Sequence, residues 1–335
     1  MKKILAMVRA NDWWEYKLPP MLAVAYIIIQ NSPYTFLSQL PLIILSLSAI
    51  ILCAIYVSLI NDATDVEEDA KAGKKNGMAA YNTVQQTALI LLPLVGALCI
   101  VSHFLKRFFS ANLFYLGSYI SFTLYSLPPF RLKKRGIAGI AADALGSQVF
   151  PTLFIAVCFY QSTNQEIQMW SLASLGVWLL CFGLRGILWH QLADKENDKV
   201  SGLVTLVQKL SEAQLSSLGT CIVAVEIFAF AAYVLFNHLF LIIPGLVFYF
   251  IYNRLLLKKF YVEQIFINPN VKQYRIFLFE YYQVFLPLSV LIVGACKNPV
   301  NIIGLLFHCF LFPLNILRIL RKIKTLFQKT AANIR

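Results

Sequence analysis

Charge is scarce in this sequence. Asp, Glu, Lys and Arg make up 13% of its 335 residues, against roughly 25% in a soluble domain. A soluble core of this size could not hide the 59% of residues that are hydrophobic, so a lipid-facing chain is the natural reading. Cysteine pairs are missing too. The seven cysteines (Cys53, Cys99, Cys158, Cys181, Cys221, Cys296, Cys309) are scattered, and none form CxxC. That excludes a zinc or disulfide framework in favour of small buried apolar residues. No basic face interleaved with aromatics accompanies the net charge of +13, which argues against nucleic acid as a partner. The N-terminal stretch after Lys2 and Lys3 lacks an apolar run ending in a small-residue cleavage site, so no signal peptide is expected. There is also no DGxxAR sequence, the mark of phosphoalcohol transferases.

Long uncharged runs are what the chain has instead. Apolar segments are read at about 18–35, 41–60, 84–102, 111–127, 137–160, 168–190, 214–236, 239–257 and 276–296. Each approaches the ~20 residues needed to cross a ~30 Å hydrocarbon layer. A shorter segment at 300–316 contains His308 and Pro313 and either spans or lies in the interface. The expected fold is therefore all-α, a polytopic bundle of about nine transmembrane helices, with this tenth hydrophobic segment after it. The expected organisation is an interfacial segment over 1–17, marked by Trp13, Trp14 and Tyr16, a transmembrane domain over 18–296, and a hydrophobic segment with a basic tail over 297–335.

Alternate loops gather the positive charge. All Lys and Arg except Lys106, Arg107, Arg185 and Lys297 fall in the tails or around the loops on one side. By the positive-inside rule that side is cytoplasmic, as expected for a multi-pass plasma (inner) membrane protein. The basic tail (Arg318, Arg321, Lys322, Lys324, Lys329, Arg335) would then meet anionic headgroups.

Acids are scarcer still, and they are concentrated. Of 16 Asp and Glu, half lie in two short stretches, Asn61-Asp62-Ala63-Thr64-Asp65-Val66-Glu67-Glu68-Asp69 and Asp194-Lys195-Glu196-Asn197-Asp198. Both follow apolar segments that end on the same side. On a helix Asn61, Asp65 and Asp69 share a face, Asp62 lies beside them, and Asp194 and Asp198 form a second four-residue pair. Like charges at that spacing repel, so two such stacks imply a counter-cation. Hard oxygen donors that leave room for phosphate suit Mg²⁺. Aligning 61–69 with 190–198 matches Asp65 with Asp194, Glu67 with Glu196 and Asp69 with Asp198. This is the trace of a duplicated helical unit, with the second and sixth segments facing across a cavity.

The first stretch resembles the NDxxDxxxD motif of the UbiA superfamily of intramembrane prenyltransferases, and Asp194-x-x-x-Asp198 resembles its DxxxD-type motif. Tyr125-Ser126-Leu127-Pro128-Pro129-Phe130-Arg131-Leu132-Lys133-Lys134-Arg135-Gly136 is similar to the family's loop between the fourth and fifth helices, and Gly202 with Thr205 matches its G-x-x-T pattern. Gln191 stands where many members carry an Asp. The resemblance covers roughly residues 15–296.

It implies a Mg²⁺-dependent transferase that ionises a polyprenyl diphosphate and passes the prenyl group to a small acceptor. An aromatic, quinone-precursor-like acceptor is the default. A non-aromatic one, such as phosphoribosyl diphosphate or a glycerol phosphate, is the alternative within the family, and a transporter is the alternative outside it. Two Mg²⁺ ions are expected, one on Asn61, Asp62, Asp65 and Asp69 and one on Asp194 and Asp198, with Asp65 and Asp194 central to catalysis. Lys71, Arg131, Lys133 and Arg185 are the expected diphosphate contacts. Tyr125, Asp143, His190 and Gln191 are the candidates for the prenyl and acceptor pocket. Arg185 is also expected to be able to pair with Asp143.

Overall fold

The computed structural model describes residues 5, 7–103, 106–202, 204–267 and 274–332. The expectations for Lys2, Lys3 and Arg335 lie outside these residues. The described chain is almost wholly helical. The helices are α1 (Ala10–Gln30), α2 (Phe36–Lys71), α3 (Thr83–His103), α4 (Phe109–Ser126), α5 (Ile137–Ser162), α6 (Met169–Ala193), α7 (Lys195–Ser201), α8 (Glu212–Phe236), α9 (Ile243–Phe260), α10 (Tyr281–Lys297), α11 (Ile302–Leu311) and α12 (Pro313–Ala332). Two three-residue parallel strands, β1 (Glu263–Ile265) and β2 (Tyr274–Ile276), lie between α9 and α10.

Each expected apolar segment is helical. Among the described residues α2, α3, α5, α6 and α8 are long and apolar enough to cross a membrane, and the α11–α12 pair adds a sixth only if it counts as one span. The other helices fall short for visible reasons. Glu15 and Lys17 dilute the start of α1, Asn253 and Arg254 interrupt α9, and α10 has only 17 residues.

α1 forms the centre of the bundle. From Leu18 to Ile29 every residue is buried, and it packs against α5 and α10. α3 is the reverse case, with only Pro93 and Ala97 buried. Its exposed Leu91, Leu92, Val95 and Leu98 form an apolar surface that a water-soluble monomer does not maintain. Small residues allow a close crossing: a Cβ on Gly183 of α6 would lie 2.9 Å from the Ala144 Cα of α5. That is the small-residue packing that brings membrane helices together where lipid supplies no hydrophobic drive.

α2 positions the site. Thr35 caps it, its Oγ1 accepting from the Ser38 amide at 3.2 Å. Thirty-six residues extend about 54 Å, well beyond a ~30 Å core. The polar end of the helix, which carries Asn61 to Asp69, is therefore the part that the apolar layer has no reason to hold.

The chain beyond α10 does not form a simple tenth span. Ten residues of α11 rise about 15 Å, and the axis then bends by 89° into α12. The Tyr26 hydroxyl and His308 Nδ1 lie 3.2 Å apart, and the Trp14 indole donates to the Leu311 carbonyl at 2.8 Å. These contacts seat α11 along α1.

Candidate active site

Two helix ends build the site. The first is the protruding end of α2. The second is the α6–α7 junction, where Asp194 closes α6 and opens α7, so its side chain sits at a corner. Asp198 follows one turn later, its amide bonded to the Asp194 carbonyl at 2.9 Å. α7 ends at Gly202, whose φ of 72° is the left-handed conformation that suits glycine at a helix terminus. The chain then returns Thr205 to the site, buried. This gives the G-x-x-T spacing a physical basis.

Asn61, Asp62, Asp65, Asp69, Asp194 and Asp198 all line one cavity of about 400 Å³, a volume that suits a small ligand. Tyr125, Lys133, His190 and Gln191 line it as well. The structure thus brings together both acidic motifs and half of the eight residues expected beside them.

The carboxylates are matched by cations. Arg131 lies 3.2 Å from Asp65 and 3.1 Å from Glu68, and donates to the Thr64 carbonyl at 2.8 Å. Lys133 pairs with Asp65, and Lys134 with Glu68. Lys74 reaches across to Asp194 at 3.1 Å. Asn76 donates to Asp69 and to the Asp62 carbonyl, both at 2.8 Å. The Pro128–Pro129 bond is cis, and Arg131 is left-handed at φ 39°. The loop that carries these cations packs on the start of α5, where a Cβ on Gly139 would lie 2.6 Å from the Leu132 carbonyl oxygen. Only glycine permits that approach.

Burial and neighbours set the charges at the second motif. Asp198 is pushed up to about 6, first by burial and then by the negative charge of Asp194. Asp194 is burdened by burial too, but the hydrogen bond from Lys74 and the His190 and Lys74 charges outweigh it and hold the group below its ordinary value. Burial lowers Lys133 although Asp65 pulls the other way.

The donors fit a divalent cation in a particular sense. Among the described residues no three His, Cys, Asp or Glu side chains converge as a metal cluster. A closed all-protein cage is therefore not what this geometry offers. Mg²⁺ bound together with phosphate uses only one or two carboxylates and takes its other oxygens from substrate and water. Two paired-carboxylate walls on one cavity match that pattern. Two buried oxygens on it, Gln191 Oε1 and Thr205 Oγ1, have no hydrogen-bond partner among the described residues.

The sequence profile of the UbiA prenyltransferase family matches residues 18–242. The chain belongs to the UbiA prenyltransferase family. No curated protein is a significant match to it. Its fold is similar to that of a UbiA homolog from Archaeoglobus fulgidus in three solved states. The one bound to DMAPP and Mg²⁺ is 18% identical with a TM-score of 0.59, covering 88% of this chain and 99% of that one. The one bound to GPP and Mg²⁺ is 17% identical with a TM-score of 0.58, and the one bound to Cd²⁺ is 18% identical with a TM-score of 0.57; each covers 88% of this chain and 98% of that one.

Three expected residues are placed elsewhere in this UbiA-family chain. Arg185 is fully buried, and its guanidinium grips Glu226 of α8 with Nε–Oε2 at 2.8 Å and Nη2–Oε1 at 2.6 Å. Its third bond goes to the Phe277 carbonyl at 2.8 Å. It neither lines the cavity nor pairs with Asp143, because the α6–α8 interface supplies a nearer carboxylate. Asp143 is half-buried in α5 and does not line the cavity. Lys71 is exposed at the last residue of α2 and does not line the cavity either.

Sequence reasoning missed Arg9. It lines the cavity 3.5 Å from Asp62, just ahead of α1 and in the left-handed conformation at φ 51°. Nothing local marks it, since it reads as one more flanking cation. Lys74 was visible only as part of the basic run after the first motif.

Proposed function

We propose that this chain catalyses Mg²⁺-dependent transfer of a prenyl group from a polyprenyl diphosphate to a small acceptor. The observation that carries the reading is the single cavity on which both Asp motifs and the cations Arg9, Lys74, Lys75 and Lys133 meet. An aromatic acceptor is the choice by family precedent. The cavity sits where apolar helices end, so a prenyl tail can stay in the bilayer while its diphosphate reaches the polar end.

Asn61, Asp62, Asp65 and Asp69 would hold one Mg²⁺, and Asp194 and Asp198 a second. When bound, the ions supply positive charge that stabilises the departing pyrophosphate. Lys74, Arg131 and Lys133 rest on the carboxylates that would take metal. Metal loading would free those cations to turn toward phosphate oxygens. Arg9 closes the cavity beside α1. The allylic C–O bond breaks with its electron pair going to the diphosphate oxygen, and the acceptor forms the new bond to the prenyl carbon and loses a proton. Tyr125 lines the cavity, and its ring face suits a developing cation.

Positive-inside charge supports placing this end at the cytoplasmic leaflet. The test is turnover of a labelled prenyl diphosphate by reconstituted protein, together with the lipid profile of a deletion strain. The expectation is that Asp65→Ala and Asp194→Ala each abolish labelled product while the protein remains folded. Full activity in both variants, or in the presence of a divalent-cation chelator, would refute the assignment.

A further inference from the structure

α12 lies outside the family match, which ends at residue 242, and the catalytic reading gives it no task. It has three faces. Asn315, Ile319 and Leu326 are buried against the bundle. Leu317, Leu320 and Phe327 form an apolar arc that is 44%, 54% and 72% exposed. Arg318, Arg321 and Lys322 line the adjoining arc, all exposed. Lys324, also exposed, lies between Leu317 and Leu320 on the wheel, where a long side chain can snorkel. From Pro313 to Ala332 there is no acidic residue.

Contacts at its start and its middle set its placement. The buried Glu15 carboxylate accepts from the Leu314 and Asn315 amides at 2.8 and 2.9 Å, and Asn315 Nδ2 donates to the Glu15 carbonyl at 2.7 Å. That satisfies two of the orphan donors at the start of the helix and fastens it to α1, which follows Arg9. Farther along, Lys322 lies over the Phe260 ring at 5.4 Å, at the end of α9 next to Lys258 and Lys259. The 89° bend turns α12 away from the direction of α11 and across this end of the bundle.

We propose that α12 is an interfacial helix that binds the anionic headgroups of the leaflet on the side of the acidic motifs. The apolar arc enters the acyl boundary and the basic arc meets the headgroups, as in helices that lie in the membrane plane. Uniform positive charge beside an exposed apolar arc is complementary to an anionic lipid surface and to no neutral one. Each Lys or Arg near such a surface contributes on the order of fivefold in affinity, and this falls away within a Debye length.

The experiment is amide hydrogen exchange over residues 313–328 of the full-length protein. It compares vesicles of phosphatidylcholine alone with vesicles containing roughly a third phosphatidylglycerol. Exchange should be about tenfold slower with the anionic lipid at low salt. The difference should vanish at about 1 M salt, where the screening length is about 3 Å, and in R318Q/R321Q/K322Q/K324Q. Equal exchange of the wild-type helix in both lipids would overturn the proposal whether or not that variant folds. So would protection that follows protein concentration and not lipid charge, which would identify a second copy as the occupant. None of these readouts depends on prenyl transfer, so the catalytic reading can fail separately.

Discussion

Removing one partner of the Arg185–Glu226 pair separates what the sequence suggests for Arg185 from what the structure shows. Both side chains are completely buried. Arg185 makes two charged hydrogen bonds to Glu226 and a third to the Phe277 carbonyl, and its guanidinium lies 4.8 Å above the Phe279 ring. Glu226→Leu leaves an unneutralised guanidinium between α6 and α8, and Arg185→Met leaves a lone carboxylate. Breaking a buried pair in this way costs about 3–5 kcal/mol. The lower end is expected here, because a chain unfolded within a membrane still finds partners for its polar groups. The double variant Arg185→Met/Glu226→Leu removes both charges and orphans chiefly the Phe277 carbonyl, a loss of about 1–3 kcal/mol. The two single costs should therefore exceed the double cost by at least ~2 kcal/mol, the signature of direct coupling. Denaturant unfolding in mixed micelles, followed by circular dichroism, measures all three, and prenyl transfer is then assayed on the folded fraction. Single variants within ~1 kcal/mol of wild type would refute the argument. So would an Arg185→Met protein that keeps wild-type stability but loses turnover, which would return Arg185 to the diphosphate.

Other outcomes follow from the cavity. Asp198 is raised to about 6, so a proton must leave it before it can ligate a cation. Magnesium affinity should be level well above that pH and fall as pH drops below it, by about fivefold from roughly pH 6 to 5; a dissociation constant that is flat over that range, measured by calorimetry, would contradict the role of Asp198. Lys74→Gln removes the cation 3.1 Å from Asp194, so the Asp194 pKa should rise toward its ordinary value, as read by the pH dependence of metal binding. Gly139→Ala places a methyl 2.6 Å from the Leu132 carbonyl oxygen and should displace the 131–135 loop, lowering turnover more than Gly176→Ala on α6, whose Cβ would meet nothing within 4 Å. Equal turnover in the two variants would refute that role for the contact.

Much of the protein was legible in the sequence, because a bilayer allows few solutions. A chain whose backbone must satisfy itself in lipid is helical, so uncharged runs fix the helices and their order. The scarcity of acids made Asp62, Asp65, Asp69, Asp194 and Asp198 conspicuous, and four-residue spacing put them on helix faces before any contact was known. What local pattern could not supply was the pairing of distant residues. Arg185 looked like a phosphate ligand because a cation within an apolar span is costly and so reads as functional, and its span leads into the second motif. Whether it points to the cavity or to Glu226 depends on how α6 is rotated against α8, which no spacing within α6 encodes. Arg9 gave the opposite error, an unremarked cation that the seating of α1 against the end of α2 delivers to Asp62. The bend after α11 likewise depends on Glu15, some three hundred residues earlier, capping α12. Composition and period thus determined the helices and the chemistry available to them, while packing across the bundle decided which charges meet, since a buried charge takes the nearest partner in space and not in sequence.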